Sequence, residues 1–122
     1  MTKQPILELK NINKKFGDKI VLDQVNFQIN PGEIVGYIGP NGAGKSTTVK
    51  IILGLLSATA GDIYLFGQRL TAKDTSYKKR IGYVPENAKM YDQLSAKEYF
   101  IFIGALYGLS EDIIIERGQR LM

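Results

Sequence analysis

Apolar and polar residues alternate over 6–12, "ILELKNI", where Leu7 and Leu9 are interleaved with Glu8 and Lys10. Period-two alternation puts one set of side chains on each face of a half-buried strand. A polar turn with Gly17 and Asp18 precedes 19–29, "KIVLDQVNFQI", where Val25, Phe27 and Ile29 alternate with Asn26 and Gln28. A second strand is predicted there. Pro31 and Gly32 mark a turn. Behind it, "EIVGYIG" (33–39) is a short apolar run, which predicts a strand buried on both faces.

The period then changes. Over 45–56, Val49, Ile52, Leu53 and Leu56 recur at helical spacing with no breaker before Gly54, predicting a helix with one apolar face. After the loop 57–62, "IYLFG" (63–67) predicts a strand. The polar stretch 68–80 leads to "IGYVP" (81–85), another short strand stopped by Pro85. Ser95 followed by Glu98 is a capping-box signature and predicts a helix through about Tyr107. Its Tyr99, Phe102, Ile103 and Leu106 form an i, i+3, i+4, i+7 stripe, read as core in preference to a partner surface. Gly108 suits the C-terminal cap, and Ser110 opens a last helix over 111–122. Strands dominate the first third and helices follow the glycine loop, so a mixed α/β domain is expected.

Length and composition narrow this picture. The 122 residues suffice for one domain, and 44% apolar with 23% charged residues is the balance of an ordinary folded protein. There is no cysteine, which excludes disulfides and thiolate metal sites, and no histidine, which removes imidazole from any catalytic scheme. The net charge of +4 is spread over Lys14, Lys15, Lys19, Lys73, Lys78, Lys79 and Arg80 beside predicted turns and edges. That distribution reads as a solvated basic surface before it reads as a polyanion-binding run. The start has no apolar core of signal-peptide type. The most apolar run, 99–109, falls short of the ~18 residues a membrane-spanning helix needs.

The chemistry is concentrated in "GYIGPNGAGKSTT" (36–48). Gly39, Gly44, Lys45 and Ser46 satisfy the P-loop pattern G-x-x-x-x-G-K-[ST]. Glycines let consecutive backbone N–H groups converge on an anion with no Cβ in the way. The helix that follows adds its positive end, Lys45 supplies a point charge for the β- and γ-phosphates, and the Ser46 hydroxyl is an oxygen donor for Mg²⁺. In a chain of this composition the pattern arises by chance in about one sequence per hundred. Its position, after an apolar strand and before an amphipathic helix, strengthens the reading as a nucleotide site.

Wider stretches resemble the ATP-binding subunit of ABC transporters. "GPNGAGKSTTVKIILGLLSATAGDIYLFG" is similar to that family's Walker A loop, its helix and the turn into the next strand. "KKFGDKIVLDQVNFQINPGEIVGYIGP" is similar to the region before it, and "IGYVPENAKMYDQLSAKEYF" to the Q-loop region and the start of the helical subdomain. The resemblance implies a P-loop NTPase fold of the ABC type, with the ATP-binding core over about 1–90 and the helical subdomain beginning over about 91–122. It implies ATP and Mg²⁺ as cofactors, held by Gly39, Pro40, Asn41, Gly42, Ala43, Gly44, Lys45, Ser46 and Thr47. Phe16 stands at the family's adenine-stacking position, with core or turn packing as the alternative role. Glu86 stands where the family usually carries the Q-loop Gln. As a carboxylate it is a second candidate Mg²⁺ ligand beside Ser46, in a variant resembling multidrug-type exporters; an exposed loop carboxylate is the other reading. A membrane permease, a second ATP-binding subunit in a head-to-tail dimer, and a location on the cytoplasmic face of the membrane are implied likewise. An ABC-type ATPase acting on nucleic acid or the ribosome is the alternative, disfavoured by the transporter-like 83–99 region.

Three parts of the family's machinery have no counterpart in these residues. There is no L-S-G-G-Q-like signature, no apolar run ending in Asp-Glu, and no histidine for the switch position. No complete catalytic set is present, and the chain ends at Met122 with no closing strand. The expectation is an N-terminal portion of an ATP-binding domain that at most binds ATP.

Overall fold

A computed structural model describes residues 4–122. Two compact units divide the chain, the first ending at Gly82 and the second running Tyr83–Met122.

The first unit is built on strands β1 (Leu7–Phe16) and β2 (Lys19–Ile29), helix α1 (Lys45–Ile52), and strands β3 (Ala60–Leu65) and β4 (Gln68–Arg69). All pairings are antiparallel and the order is β2-β1-β3-β4. The period-two pattern is realised: Leu7 and Leu9 are buried and pair with Ile29 and Phe27 on one side, and with Leu65 and Ile63 on the other. Ile12, Leu22 and Ile51 complete the core with Tyr77, which sits on a 3₁₀ turn at Ser76–Arg80.

β1 and β2 each run longer than the apolar alternation predicts. Beyond Leu9 the register shifts, and Asn11 and Gln24 take positive φ of 51° and 47°. Side-chain amides fill the irregularity. Asn11 N–H donates to Asn26 Oδ1 at 2.9 Å, and Asn26 Nδ2 donates to Asn11 Oδ1 at 2.9 Å and to the Gln24 carbonyl at 2.8 Å. A bulge whose polar groups are satisfied this way lets the ladder continue past its break.

Two predicted strands are not formed. Residues 33–39 lie outside the sheet, with Ile34 and Ile38 almost fully exposed, and residues 81–85 are likewise not in strands. An apolar run becomes a strand only when a neighbour takes up its N–H and C=O groups and its faces are covered. None of the described residues forms a ladder with either segment. The strand expected at 63–67 begins earlier, at Ala60, and gives way to a turn at Phe66 and Gly67, both at positive φ.

Helix α1 is shorter than the 45–56 prediction. Gly54 takes φ 68°, and its N–H and that of Leu55 close on the carbonyls of Ile51 and Lys50 at 3.0 and 2.9 Å. This is the Schellman ending. The buried face also differs: Thr48 and Ile51 are buried, whereas Val49, Ile52, Leu53 and Leu56 are half-buried.

In the second unit, α2 (Ala96–Leu106) and α3 (Glu111–Leu121) form a helix pair. The predicted capping box is present: Ser95 Oγ accepts from Glu98 N–H at 3.3 Å, and Glu98 Oε2 accepts from Ser95 N–H at 2.8 Å. Gly108, at φ 71°, ends α2 in a second Schellman motif, with Leu109 N–H on the Gly104 carbonyl at 3.0 Å. The predicted core stripe is corrected. Phe102 and Leu106 are exposed, and the buried contact runs through Gly104, Ile114 and Gly118, with Phe100 beside it. Glycines let two helix backbones come close, so packing follows them here more than the larger side chains. No helix among the described residues is long and apolar enough to cross a membrane.

Candidate functional site

The loop Gly39–Gly44 turns back on itself before α1. Ala43 N–H donates to the Pro40 carbonyl at 3.2 Å, closing a four-residue turn with Gly42 third at φ 83°. Positive φ at that position is the type II signature and favours glycine.

Gly44 is the helix N-cap, at φ 92° and ψ 9°. Two constraints require glycine there. An L-residue rarely adopts that φ, and a Cβ would stand 2.6 Å from Leu22 Cδ2 and 3.0 Å from the Val21 carbonyl oxygen. The loop is thus seated on β2.

A glycine N-cap has no side chain to accept from the first turn, and α1 has no side-chain cap bond. The first intrahelical bond of the turn is Thr48 N–H to the Gly44 carbonyl, at 2.9 Å. The N–H groups of Lys45, Ser46 and Thr47 precede it and have no intrahelical acceptor. No acidic residue occupies this first turn. Lys45, at the first helical position, instead puts a cation against the positive end of the helix, which is unfavourable unless an anion lies between them. Free donors, an uncapped helix end and a lysine together are complementary to phosphate.

The Lys45 ammonium folds back over the loop. It donates to the Gly39 carbonyl and, at 2.8 Å, to the Pro40 carbonyl. Ser46 is exposed and Thr47 half-buried. Pro40, Asn41, Gly42 and Ala43 are exposed, forming the outer wall of the turn. The structure therefore brings together residues 39–47, every loop position expected from the sequence.

Two residues that sequence reasoning did not single out support the loop. Tyr37 and Thr48 share a hydrogen bond of 3.1 Å, and the Tyr37 ring lies 5.5 Å from that of Phe27. Their signal was a polar-tipped aromatic inside the apolar run before the loop and a threonine one turn into the helix.

Phe16 closes β1 opposite Lys19 and is 49% exposed. Its ring is therefore not a core element. Glu86 is exposed and belongs to the second unit. Among the described residues no group of three or more acidic side chains is arranged to hold a metal ion by itself. Any divalent cation here would therefore need most of its oxygens from a bound ligand and water.

Comparison with known proteins agrees with this geometry. A family profile described as ABC transporter matches residues 22–120. The probable multidrug ABC transporter ATP-binding protein YbhF of Escherichia coli (strain K12) is 39% identical over 106 residues, 87% of this chain and 18% of that protein. The linearmycin resistance ATP-binding protein LnrL of Bacillus subtilis (strain 168) is 38% identical over 117 residues, 96% of this chain and 38% of that protein. A solved structure described as an ATP binding subunit of an ABC transporter superposes with a TM-score of 0.74 at 38% identity, over 88% of this chain and 45% of that one. The chain spans less than half the length of each of these relatives.

Proposed function

Because the chain belongs to the ABC transporter ATP-binding family, we propose that residues 39–47 hold the triphosphate of ATP with Mg²⁺. The observation that carries this reading is the uncapped start of α1, whose first-turn N–H groups have no side-chain acceptor, in a loop over which the Lys45 ammonium folds back. The N–H groups orient the phosphates and the ammonium offsets their charge. Mg²⁺, when bound, neutralises the phosphate oxygens, and Ser46 Oγ is the loop's donor to it. Phe16 is the platform for the base, supported by its exposed ring at the end of β1. Glu86 enters on the resemblance alone, as the carboxylate at the Q-loop position.

Phosphoryl transfer to water requires a group that orients and polarises the water as well as charge stabilisation. With no histidine and no Asp-Glu after an apolar run in these 122 residues, the chain binds ATP and does not turn it over. The protein of which this ATP-binding part is characteristic drives transport, in the direction of export, through a separate membrane permease. It does so as a head-to-tail pair of ATP-binding subunits at the cytoplasmic membrane face. The multidrug and resistance relatives support the transport reading over a nucleic-acid one.

Calorimetric titration of the chain with ATP and Mg²⁺ tests the proposal. Lys45→Ala should weaken binding at least about tenfold, the loss of a charge-assisted contact. Unchanged affinity would remove this loop from phosphate binding. Phosphate release above that of Lys45→Ala would show that the chain is an enzyme by itself.

A further inference from the structure

The end of β1 is joined to the loop after α1 by three hydrogen bonds. Thr59 N–H donates to the Asn13 carbonyl at 2.8 Å, Lys15 N–H to Thr59 Oγ1 at 3.0 Å, and the Lys14 ammonium to the Ser57 carbonyl at 2.6 Å. The first two fasten backbone to loop. The third uses a long charged side chain, and its ammonium also lies 5.0 Å from the centroid of the Phe16 ring. That distance is within the ~6 Å range of cation–π attraction.

An aromatic ring has two faces, and the cation takes one of them. We propose that Lys14 is a positioning residue for the base platform, holding the Phe16 ring from behind and leaving its opposite face for adenine. The inference rests on the reading of Phe16 as the stacking residue. Two physical effects act together. The Ser57 carbonyl fixes the ammonium, so an exposed ring at a strand end gains a fixed neighbour and loses rotational freedom before the base arrives. A cation behind the ring also draws π density from the open face, which lessens the quadrupole repulsion that disfavours face-to-face stacking. Lys14 therefore acts on the base and not on the phosphates.

The full chain is titrated calorimetrically with Mg²⁺-ATP and, separately, with Mg²⁺ and inorganic triphosphate. Lys14→Met should weaken ATP roughly two- to fivefold, the factor of an exposed cation–π contact, and leave triphosphate binding unchanged. Lys14→Arg, which can donate to the same carbonyl and lie over the same ring, should restore ATP affinity. In a Phe16→Leu background, Lys14→Met should have no further effect. Equal losses for ATP and triphosphate would mean that Lys14 serves only through charge or folding, and would overturn the proposal. Wild-type ATP affinity in Lys14→Met would overturn it while leaving the Phe16 reading intact. A wild-type chain that prefers ATP no more than triphosphate would remove the Phe16 platform, and this inference with it.

Discussion

Tyr37 donates its hydroxyl proton to Thr48 Oγ1 across 3.1 Å, tying the residue two before the glycine loop to the fourth residue of the helix after it. The direction follows from Thr48, whose own proton goes to the Gly44 carbonyl at 3.0 Å. A loop of glycines has little stiffness of its own, and this bond holds its two ends together. Tyr37→Phe keeps the ring against Phe27 and removes only the proton. Urea unfolding should show a loss of about 1 kcal/mol, and in a Thr48→Val background the same change should cost nothing more. An undiminished cost there would mean the hydroxyl acts through another partner.

Gly44→Ala should be among the most damaging single changes in the first unit. The new methyl meets Leu22 and the Val21 carbonyl at a backbone angle that disfavours any side chain. The left-handed conformation alone costs about 1–2 kcal/mol, and relief of the clash requires the loop to lift from β2. Denaturation should show a lowered midpoint, and ATP binding should fall with it. A variant that binds normally would show that the loop is not held against β2 as described.

Glu98 gives α2 a pH dependence. Its carboxylate accepts from the Ser95 hydroxyl at 2.7 Å and from the Ser95 N–H at 2.8 Å, and these bonds hold its pKa below the ordinary glutamate value. With the folded-state pKa depressed, the stabilisation is complete above the ordinary carboxylate range and is lost as pH falls through the lowered value. Backbone chemical shifts of residues 95–99, followed from neutral to strongly acidic pH, should report fraying of the helix start in that window. Ser95→Ala should move the Glu98 titration back toward the ordinary value. A titration identical in both proteins would contradict the capping box.

Gly104→Ala separates helix propensity from packing. Alanine is favoured over glycine in a helix interior by about 1 kcal/mol, yet a methyl at 104 runs into Ile114 Cγ1 and Cδ1. Overpacking of this kind costs about 1–3 kcal/mol, so the second unit should be destabilised on balance. In an Ile114→Ala background the same substitution should become neutral or stabilising. Stabilisation by Gly104→Ala alone would show that α2 and α3 are not packed at this point.

What the sequence reveals divides along a physical line. The capping box at Ser95 and Glu98, the turn at Pro31 and Gly32 and the Gly108 helix end depend on a few adjacent residues, and each is legible. The strand at Leu7 and Leu9 and its buried face follow from alternation alone, though its partners do not. Residues 33–39 and 81–85 carry an apolar pattern as good as any in the chain, but pattern records only a need for neighbours. The buried face of α2 departs from its apolar stripe for a related reason: large apolar side chains dominate periodicity, while Gly104 and Gly118 decide how closely the helices approach. At the site, the loop residues are fixed by motif, whereas Tyr37–Thr48 and Lys14–Phe16 join positions that only the folded chain makes neighbours.

The Lys45 tether has a consequence for how any affinity at this loop is interpreted. The ammonium already has two acceptors, the carbonyls of Gly39 and Pro40. One N–H donor of the three remains, so a phosphate bound here as proposed would find a single open donor and would compete with the two carbonyls for the others. Tight closure of the loop on itself and tight capture of a nucleotide draw on the same three N–H bonds of lysine. A change that loosens the first, by pulling either carbonyl away, should release Lys45 and sharpen the second.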